Sequence, residues 1–343
     1  MWTIEMDSIE LSIIIVNWHS ADYVMACVSS IYEQTTSVDY EIIVVDNGSF
    51  DGCKERLAKE YPDVIFVESK TNLGFGGANN LGASLACGTV LLFLNPDTVI
   101  LDRAIERLYE CLLSLPNVGV VGCRLLNADG SLQTSCVQPM PTVLNQVLDV
   151  AFLHRMFPAV SLWTNAARYE GRSGPIEVEA LSGACLMLLR KVFYEIGGFT
   201  SEYFMYTEDL DLCLKARKAG RRNYYVPEVA ILHHSGGSSR RAGSNFSVVM
   251  MRESIYRFLC RYRGRLYAIC YRTALLLAAV VREFLLFVLL PIYLVFWGKK
   301  AWLGSYKKWL AILGWGMGIC HCPQRVRVGD LCGVIMGKSK DKG

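Results

Sequence analysis

The chain of 343 residues is long enough for one large domain with an appendage or for two domains. Hydrophobic residues make up 52% of it, and the formal net charge is +3. The charge is unevenly distributed, because residues 1–250 contain 19 Lys and Arg against 28 Asp and Glu, whereas residues 251–343 contain 16 against 4. A basic, apolar C-terminal part favours an anionic membrane surface as a partner. It argues against nucleic acid, since the basic residues flank long apolar runs.

The cysteines and the N-terminus predict a cytoplasmic protein. Thirteen cysteines occur singly, without a Cys-x-x-Cys pair, as is typical of a reducing compartment. The first apolar run, at residues 11–16, is too short for a secretory signal and is preceded by acidic residues. We therefore expect no export of the chain.

From residue 11 onward the patterns of strands and helices alternate. Strands are predicted at 11–18, 41–45, 64–67, 90–94, 118–121 and 223–226, and helices at 22–33, 51–61, 74–86, 102–113 and from residue 191. This alternation predicts a doubly wound α/β domain with a mostly parallel sheet. Residues 127–175 lose the regularity and predict a loop-rich insertion beside the site. We expect the catalytic domain to span residues 1–245.

Residues 246–343 form a basic, apolar tail. Its most apolar window, 273–297, contains Arg282, Glu283 and Pro291. A spanning helix needs roughly 20 apolar residues, and a central charged pair is costly in hydrocarbon. The pattern therefore predicts an amphipathic or re-entrant helix in the membrane interface, and a buried helical hairpin is the alternative. The expected aromatic anchors are Trp297, Trp302, Trp309 and Trp315.

The stretch 91–98, Leu-Leu-Phe-Leu-Asn-Pro-Asp-Thr, carries the most information about function. Pro96 has no N–H to donate, so the predicted strand must end before it. Asp97 then lies at the carboxyl end of a core strand, where open α/β sheets bind ligands. A carboxylate there suits a divalent cation that grips a diphosphate. For the tripeptide alone, an ordinary turn is the alternative.

Two further segments follow predicted strands. Segment 46–49, Asp-Asn-Gly-Ser, and Asn17 can bond a nucleobase or ribose, with a plain Asx turn as the alternative. Segment 74–80 resembles half of a dinucleotide fingerprint, but it follows the third strand and has Asn79 in place of the last glycine. NAD binding is therefore disfavoured. We expect the glycines to let a phosphosugar or ribose approach the backbone.

Three carboxylates, those of Glu208, Asp209 and Asp211, open an amphipathic helix. Acidic residues in a first helical turn are favoured by the helix dipole, which is the structural alternative. Crowding raises the pKa of at least one of them, which suits a general base. Downstream, His233 and His234 enter a Gly/Ser segment and are candidates for a metal or phosphate contact.

As an ordered set, these motifs resemble the family 2 inverting glycosyltransferases. The similarity is greatest to the rhamnosyltransferase-like branch that builds bacterial cell-surface glycans. It covers residues 11–240 and includes Leu181-Ser182-Gly183-Ala184, Gly197-Gly198-Phe199 and His233 with Gly236-Gly237. The resemblance implies the GT-A fold, a single nucleotide-diphosphosugar-binding α/β domain with a doubly wound mixed sheet, followed here by a C-terminal helical membrane-associating region.

The resemblance also implies roles for single residues. Asp97 and His233 would bind Mg²⁺ or Mn²⁺, with Asn95 in the first position of the family's Asp-x-Asp. The nucleotide-sugar donor would be bound by Asn17, Asp46, Asn47, Ser49, Gly74, Gly76, Asn79, Asn95 and Asp97. Within that set, Asp46 and Asn47 would contact the pyrimidine base.

For catalysis, the resemblance assigns the general base to Asp209. The residues alone leave Glu208 and Asp211 open as alternatives. Gly183 and Ala184 are expected on the acceptor side. An inverting transfer needs a carboxylate for the acceptor proton and a cation for the leaving diphosphate, and it needs no nucleophile.

The predicted activity is metal-dependent transfer of a sugar, first L-rhamnose from dTDP-L-rhamnose, to a polyprenyl-diphosphate-linked saccharide. We expect it at the cytoplasmic face of the plasma membrane, with a peripheral anchor and no nucleic-acid partner; a homodimer is allowed. The alternatives are transfer to polyprenyl phosphate, another donor sugar, or a non-catalytic sugar-nucleotide-binding subunit. A processive synthase is disfavoured, because no Gln-x-x-Arg-Trp motif occurs.

Overall fold

A computed structural model describes residues 9–150, 166–234 and 244–319. The strands among these residues are β1 (Leu11–Asn17), β2 (Tyr40–Asp46), β3 (Ile65–Glu68), β4 (Val90–Leu94), β5 (Thr98–Ile100), β6 (Val118–Leu126), β7 (Val137–Gln138), β8 (Ile176–Val178), β9 (Ala180–Leu181), β10 (Cys185–Leu189) and β11 (Arg222–His233). The α-helices are α1 (Ala21–Gln34), α2 (Cys53–Glu60), α3 (Gly74–Leu85), α4 (Ala104–Ser114), α5 (Val143–Val150), α6 (Arg190–Glu195), α7 (Glu208–Lys218), α8 (Ser244–Arg263), α9 (Arg265–Val288) and α10 (Leu290–Gly316).

These elements belong to two compact units. The first unit contains all the strands and the helices α1–α4, α6 and α7, and the second contains α5 and α8–α10. In the described residues, the first unit comprises 9–140, 166–201 and 208–234, and the second comprises 141–150, 202–207 and 244–319. A domain boundary near residue 245 stays a prediction.

The first half of the sheet is parallel, as predicted. Its strands run in the order β3-β2-β1-β4. β1 and β4 are buried along their whole length, as expected for apolar strands covered by helices on both faces. Asn17 pairs with Asp46, and Ile15 pairs with Leu94, so these strands end at one edge of the sheet. Ligands bind at this edge in open α/β sheets.

The second half departs from the mostly parallel sheet that the alternation of strands and helices predicts, and it agrees with the mixed sheet that the resemblance implies. β10 lies antiparallel between β4 and β6, and β11 is parallel to β6 but antiparallel to β5 and β8. The sheet is therefore mixed. The strand predicted at 223–226 continues to His233, and the unpredicted β5 begins directly after Asp97. Pairing of Thr98 with His233 brings the end of β11 to the β4–β5 turn.

The apolar window 273–297, for which the sequence predicts an amphipathic or re-entrant helix, is divided between two helices. α9 ends at Val288, and Pro291 lies in the first turn of α10. N–H groups in a first turn have no partner within the helix, so a proline there costs no hydrogen bond. The departure from helical geometry falls instead at Gly298, whose φ is +77°. No helix in the described part of the chain combines the length and apolarity needed to cross a membrane.

Two of the four expected aromatic anchors are buried inside the helical unit. Trp315 is 1% exposed and donates its indole N–H to Glu253 at 3.0 Å, and Trp309 is 6% exposed. Neither can reach a membrane interface in this arrangement. Trp302 is half-buried and stacks on Tyr306.

Candidate active site

The β4–β5 turn is fixed by hydrogen bonds on both sides. The Thr98 hydroxyl donates to the Asn95 carbonyl at 2.8 Å, and the Asn95 N–H donates to the Ala184 carbonyl at 3.0 Å. The N–H of His234 donates to the Asp97 carbonyl at 2.9 Å. The short Asn-Pro-Asp connection is therefore held rigidly, with Asp97 only 6% exposed.

The side chains of Asp97 and His233 face each other across this turn. Asp97 Oδ1 lies 3.3 Å from His233 Nε2, and the Asn95 side-chain amide nitrogen also lies 3.3 Å from that ring nitrogen. On the other side of the ring, His233 Nδ1 lies 2.9 Å from Oε1 of Gln133. The two residues predicted as metal ligands are thus brought together, with Asn95 beside them.

The donor set of this pair fits a divalent cation that is shared with a substrate. Mg²⁺ is usually bound by one or two carboxylates together with substrate phosphates and water, and imidazole is an accepted ligand of transition metals. Within the described ranges, no group of three or more His, Cys, Asp and Glu side chains could hold a metal by itself.

Asp209, near the start of α7, is held by three donors. Its Oδ2 accepts the N–H of Gly183 at 2.9 Å and the side-chain amide of Gln138 at 3.2 Å. Its Oδ1 accepts the N–H of Leu210 at 2.8 Å. Burial raises the pKa of the Asp209 carboxyl above its usual range, because these hydrogen bonds offset only part of the desolvation. A fixed carboxylate with a raised pKa is suited to accept a proton.

The other two carboxylates of the cluster have different surroundings. Asp211 is fully buried, accepts the Thr200 hydroxyl at 2.6 Å and pairs with Lys215 at 3.3 Å. Lys215 also donates to the carbonyl of Gly198, so Asp211 helps to hold the loop that precedes α7. Glu208 is 6% exposed and packs near Gly76. The surroundings thus distinguish three carboxylates that the sequence pattern leaves equivalent.

The connection between β9 and β10 links the carboxylate cluster to the β4–β5 turn. Gly183 donates its N–H to Asp209, and the carbonyl of the next residue, Ala184, accepts the N–H of Asn95. Both residues therefore serve as backbone partners of predicted site residues. Their acceptor-side role stays a prediction.

The ends of β1 and β2 are tied together by side chains. The Asn17 amide donates to Asp46 Oδ1 at 2.9 Å and to Asp51 Oδ1 at 3.0 Å. The N–H of Ser49 donates to Asp46 Oδ2 at 3.0 Å, and its hydroxyl accepts the N–H of His19 at 2.9 Å. Asp46 therefore bonds the backbone of its own turn, which is the kind of structural role that the Asx-turn alternative gives it. Base contact by Asp46 stays a prediction.

Asn47 connects the end of β2 to the start of α3. Its amide nitrogen donates to Asn72 at 2.9 Å, and its amide oxygen accepts the N–H of Leu73 at 2.7 Å. Asn72 in turn accepts the N–H of Gly74, whose φ of +74° is one that L side chains rarely adopt. Asn47 is 3% exposed, so it shapes this loop whether or not it also meets a base.

The glycine-rich start of α3 is packed against protein. A Cβ added at Gly76 would lie 3.0 Å from the Phe199 Cβ, so packing against this side chain already requires a glycine there. Asn79 is buried and donates to the carbonyl of Phe75 in its own helix at 3.0 Å. The next residue, Asn80, both donates to and accepts from the backbone of Phe199. Donor contacts by this segment stay predictions.

Three polar residues of this edge were missed by the sequence analysis. Gln133 and Gln138 contact His233 and Asp209 but lie in the irregular segment, where no periodic pattern marks them. The sequence pattern marks Asp51 only as the start of a helix, whereas in the structure its carboxylate accepts the Asn17 amide. The sequence signal for Asp51 is its position four residues after Asn47, which directly follows the end of β2.

A polar edge of strand ends, with a carboxylate–imidazole pair and the half-buried carboxylate of Asp209 beside it, defines a candidate sugar-nucleotide enzyme. The model of the family described as "Glycosyl transferase family 2" matches residues 12–197. The chain belongs to glycosyl transferase family 2 and is a glycosyltransferase of rhamnosyltransferase-like type. The match covers the strand-end motifs up to Gly183, whereas Asp209 and His233 lie beyond it.

Two relatives with named activities are similar over most of their length. The N-acetylglucosaminyl-diphospho-decaprenol L-rhamnosyltransferase of Mycobacterium tuberculosis is 33% identical over 237 residues, which are 65% of this chain and 76% of the relative. The rhamnosyltransferase WbbL of Escherichia coli K12 is 25% identical over 262 residues, or 73% of this chain and 93% of the relative.

The fold is also similar to solved glycosyltransferase structures. The mannosyltransferase PcManGT from Pyrobaculum calidifontis, solved with GDP-Man and Mn²⁺, superposes with a TM-score of 0.55 at 18% identity. The alignment covers 91% of this chain and 88% of that one. The expected GT-A type α/β fold, with its mixed sheet, is confirmed.

Proposed function

We propose that the protein is a metal-dependent inverting glycosyltransferase that transfers L-rhamnose from dTDP-L-rhamnose to a polyprenyl-diphosphate-linked saccharide. The main support is the 33% identical relative, whose name specifies L-rhamnose transfer to an N-acetylglucosaminyl-diphospho-lipid. The second relative is also named as a rhamnosyltransferase. A lipid-linked N-acetylglucosamine is therefore the first acceptor to test.

The surroundings of Asp209 support its role as the general base. In the proposed step, an acceptor hydroxyl oxygen bonds to the anomeric carbon while Asp209 takes the hydroxyl proton. The bond from the anomeric carbon to the diphosphate oxygen breaks on the opposite face, and the nucleoside diphosphate leaves. The N–H of Gly183 and the amide of Gln138 hold the carboxylate in place for this transfer.

On the donor side, Asp97 and His233 would hold Mg²⁺ or Mn²⁺, as their facing oxygen and nitrogen support. The cation would supply charge stabilisation for the departing diphosphate. Asn95 presents its amide nitrogen to His233, so we assign it a positioning role and not a ligand role. The Mn²⁺ and GDP-Man in the related mannosyltransferase structure are in keeping with this proposal.

Exposed apolar residues around the α9–α10 turn support contact with a membrane surface. Val295 is 80% exposed and Phe296 is 73% exposed, and Phe284 and Phe287 are exposed on α9. Lys299 follows them along the chain and is also exposed. Apolar side chains flanked by basic ones suit the interface of an anionic bilayer. We propose peripheral attachment at the cytoplasmic face, where nucleotide sugars and lipid-linked acceptors meet.

The proposal is tested with purified full-length protein, a panel of nucleotide sugars and two acceptors. We expect transfer from dTDP-L-rhamnose to N-acetylglucosaminyl-diphospho-polyprenol in the presence of Mn²⁺ or Mg²⁺, and none in excess EDTA. Transfer to polyprenyl phosphate instead, or from another donor only, would overturn the assigned acceptor or sugar. Donor binding without transfer to any acceptor would favour a non-catalytic subunit.

A further inference from the structure

Gln133, between β6 and β7, grips His233 at two points. It is 6% exposed, and its Oε1 lies 2.9 Å from His233 Nδ1. Its Nε2 donates to the main-chain carbonyl of His233 and, at 3.4 Å, to that of Leu126. The backbone of Gln133 is itself fixed, because its N–H donates to the Leu125 carbonyl at 2.8 Å. One side chain thus holds both the ring and the main chain of the same histidine.

These contacts determine which way the Gln133 amide points. Carbonyl oxygens only accept hydrogen bonds, so the amide atom next to the carbonyls of Leu126 and His233 must be the NH₂ group. The amide oxygen therefore faces His233 Nδ1. Because that oxygen also only accepts, Nδ1 must carry the hydrogen. In the neutral ring, the lone pair is then on Nε2.

We propose that Gln133 is a positioning residue that fixes His233 in the Nδ1–H tautomer and directs the Nε2 lone pair toward Asp97. On the opposite side of the ring, the Asn95 amide nitrogen, a donor, lies 3.3 Å from Nε2 and agrees with a lone pair there. Asp97 Oδ1, which only accepts, lies at the same distance, so two electron-pair donors face each other, as they do around a cation that both bind. A metal ligand needs its lone pair on the side that faces the other ligand.

The proposed metal role of His233 rests on the proposed function, whereas the tautomer does not. Partners that fix the tautomer of a ligating histidine typically change metal affinity by 10- to 100-fold when they are mutated. Gln133→Met keeps the length of the side chain and removes the acceptor for Nδ1–H. We expect this variant to bind Mn²⁺ in the presence of dTDP roughly 10- to 100-fold more weakly.

The first measurement is ¹⁵N NMR of the metal-free full chain labelled at histidine, with His233→Gln to assign the signals. We expect protonated Nδ1 and unprotonated Nε2 in the wild type, and a loss of this tautomer in Gln133→Met. The second is Mn²⁺ affinity, from the EPR signal of free Mn²⁺ in the presence of dTDP. The matched control is Gln138→Met, which removes a glutamine that contacts Asp209 and should leave both readouts unchanged.

An Nε2–H tautomer in the wild type would overturn the proposal, and that result does not depend on whether any variant folds. An unchanged tautomer and unchanged Mn²⁺ affinity in a folded Gln133→Met would overturn it as well. If the wild type shows the Nδ1–H tautomer but binds no Mn²⁺ with dTDP, the positioning by Gln133 is supported and the metal part of the proposed function fails.

Discussion

Replacing Asp209 by Asn separates catalysis from stability in this site. The substitution keeps the shape of the side chain and removes the proton acceptor. Loss of a general base lowers the transfer rate by roughly 10²- to 10⁴-fold. That range corresponds to about 3–5 kcal/mol of activation free energy. We expect the donor nucleotide to bind with unchanged affinity, because Asp209 acts on the acceptor hydroxyl in the proposed step.

The free energy of unfolding should change little in Asp209→Asn. The Asn oxygen can still accept from Gly183 and Gln138, while the Leu210 N–H loses its partner, at about 1 kcal/mol. A gain opposes this loss. The pKa of Asp209 is raised in the folded protein, so the folded state binds its proton more tightly, and stability falls as pH rises through that pKa. At neutral pH, a neutral Asn removes the unfavourable burial of the charge.

Asp211→Asn, in contrast, should strongly lower the free energy of unfolding. It breaks a buried ion pair with Lys215 and weakens the acceptor for Thr200, and breaking such a pair typically destabilises a protein by roughly 3–5 kcal/mol. The assays are initial transfer rates, donor affinity by calorimetry, and urea unfolding for both variants and for Glu208→Gln. A wild-type rate in Asp209→Asn, or the large rate loss in a stable Glu208→Gln, would refute the assignment of the base.

Three further predictions address the metal pair, an anchoring carboxylate and the helical unit. Asp97→Ala should abolish transfer and keep cooperative unfolding, and wild-type turnover in excess EDTA would contradict the metal role. Burial would raise the pKa of Glu106, but hydrogen bonds from the backbone at 36–37 outweigh it and hold the pKa at about 2. Its roughly 3 kcal/mol of stability is present above its ordinary pKa of 4.5 and is lost as pH falls toward 2. Glu106→Gln should therefore be destabilised in urea at pH 7 and close to wild type near pH 2; an equal deficit at both would contradict this. The full-length chain should pellet with anionic liposomes even at high salt, and Val295→Asp with Phe296→Asp should reduce pelleting; unchanged pelleting would contradict a role for that surface.

Much of the first unit could be predicted from local patterns. Runs of buried β-branched and aliphatic residues mark β1, β2 and β4, and Pro96 marks the point where β4 ends. Neighbouring strands of a parallel sheet end at the same edge, so polar residues that follow such strands lie close together. The pairing of Asn17 with Asp46 is an example.

The partners of these residues could not be predicted in the same way. His233 reaches Asp97 because β11 pairs with the three-residue strand β5, and Ala184 reaches Asn95 because β10 inserts antiparallel between β4 and β6. Each pairing joins segments far apart in the chain. The period-2 pattern of a strand shows which side chains are buried, but it does not specify the neighbouring strand. Gln133 has no local signal at all.

The amino-acid sequence by itself determined which residues form the core strands, where those strands end, and which acidic and amide side chains follow them, because burial and backbone geometry are local properties. Only the tertiary structure decided which carboxylate meets the Gly183 N–H, which is buried against Lys215, and which glutamine holds His233. Those contacts depend on long-range packing, in which a buried polar group takes whichever partner the fold brings within hydrogen-bonding distance.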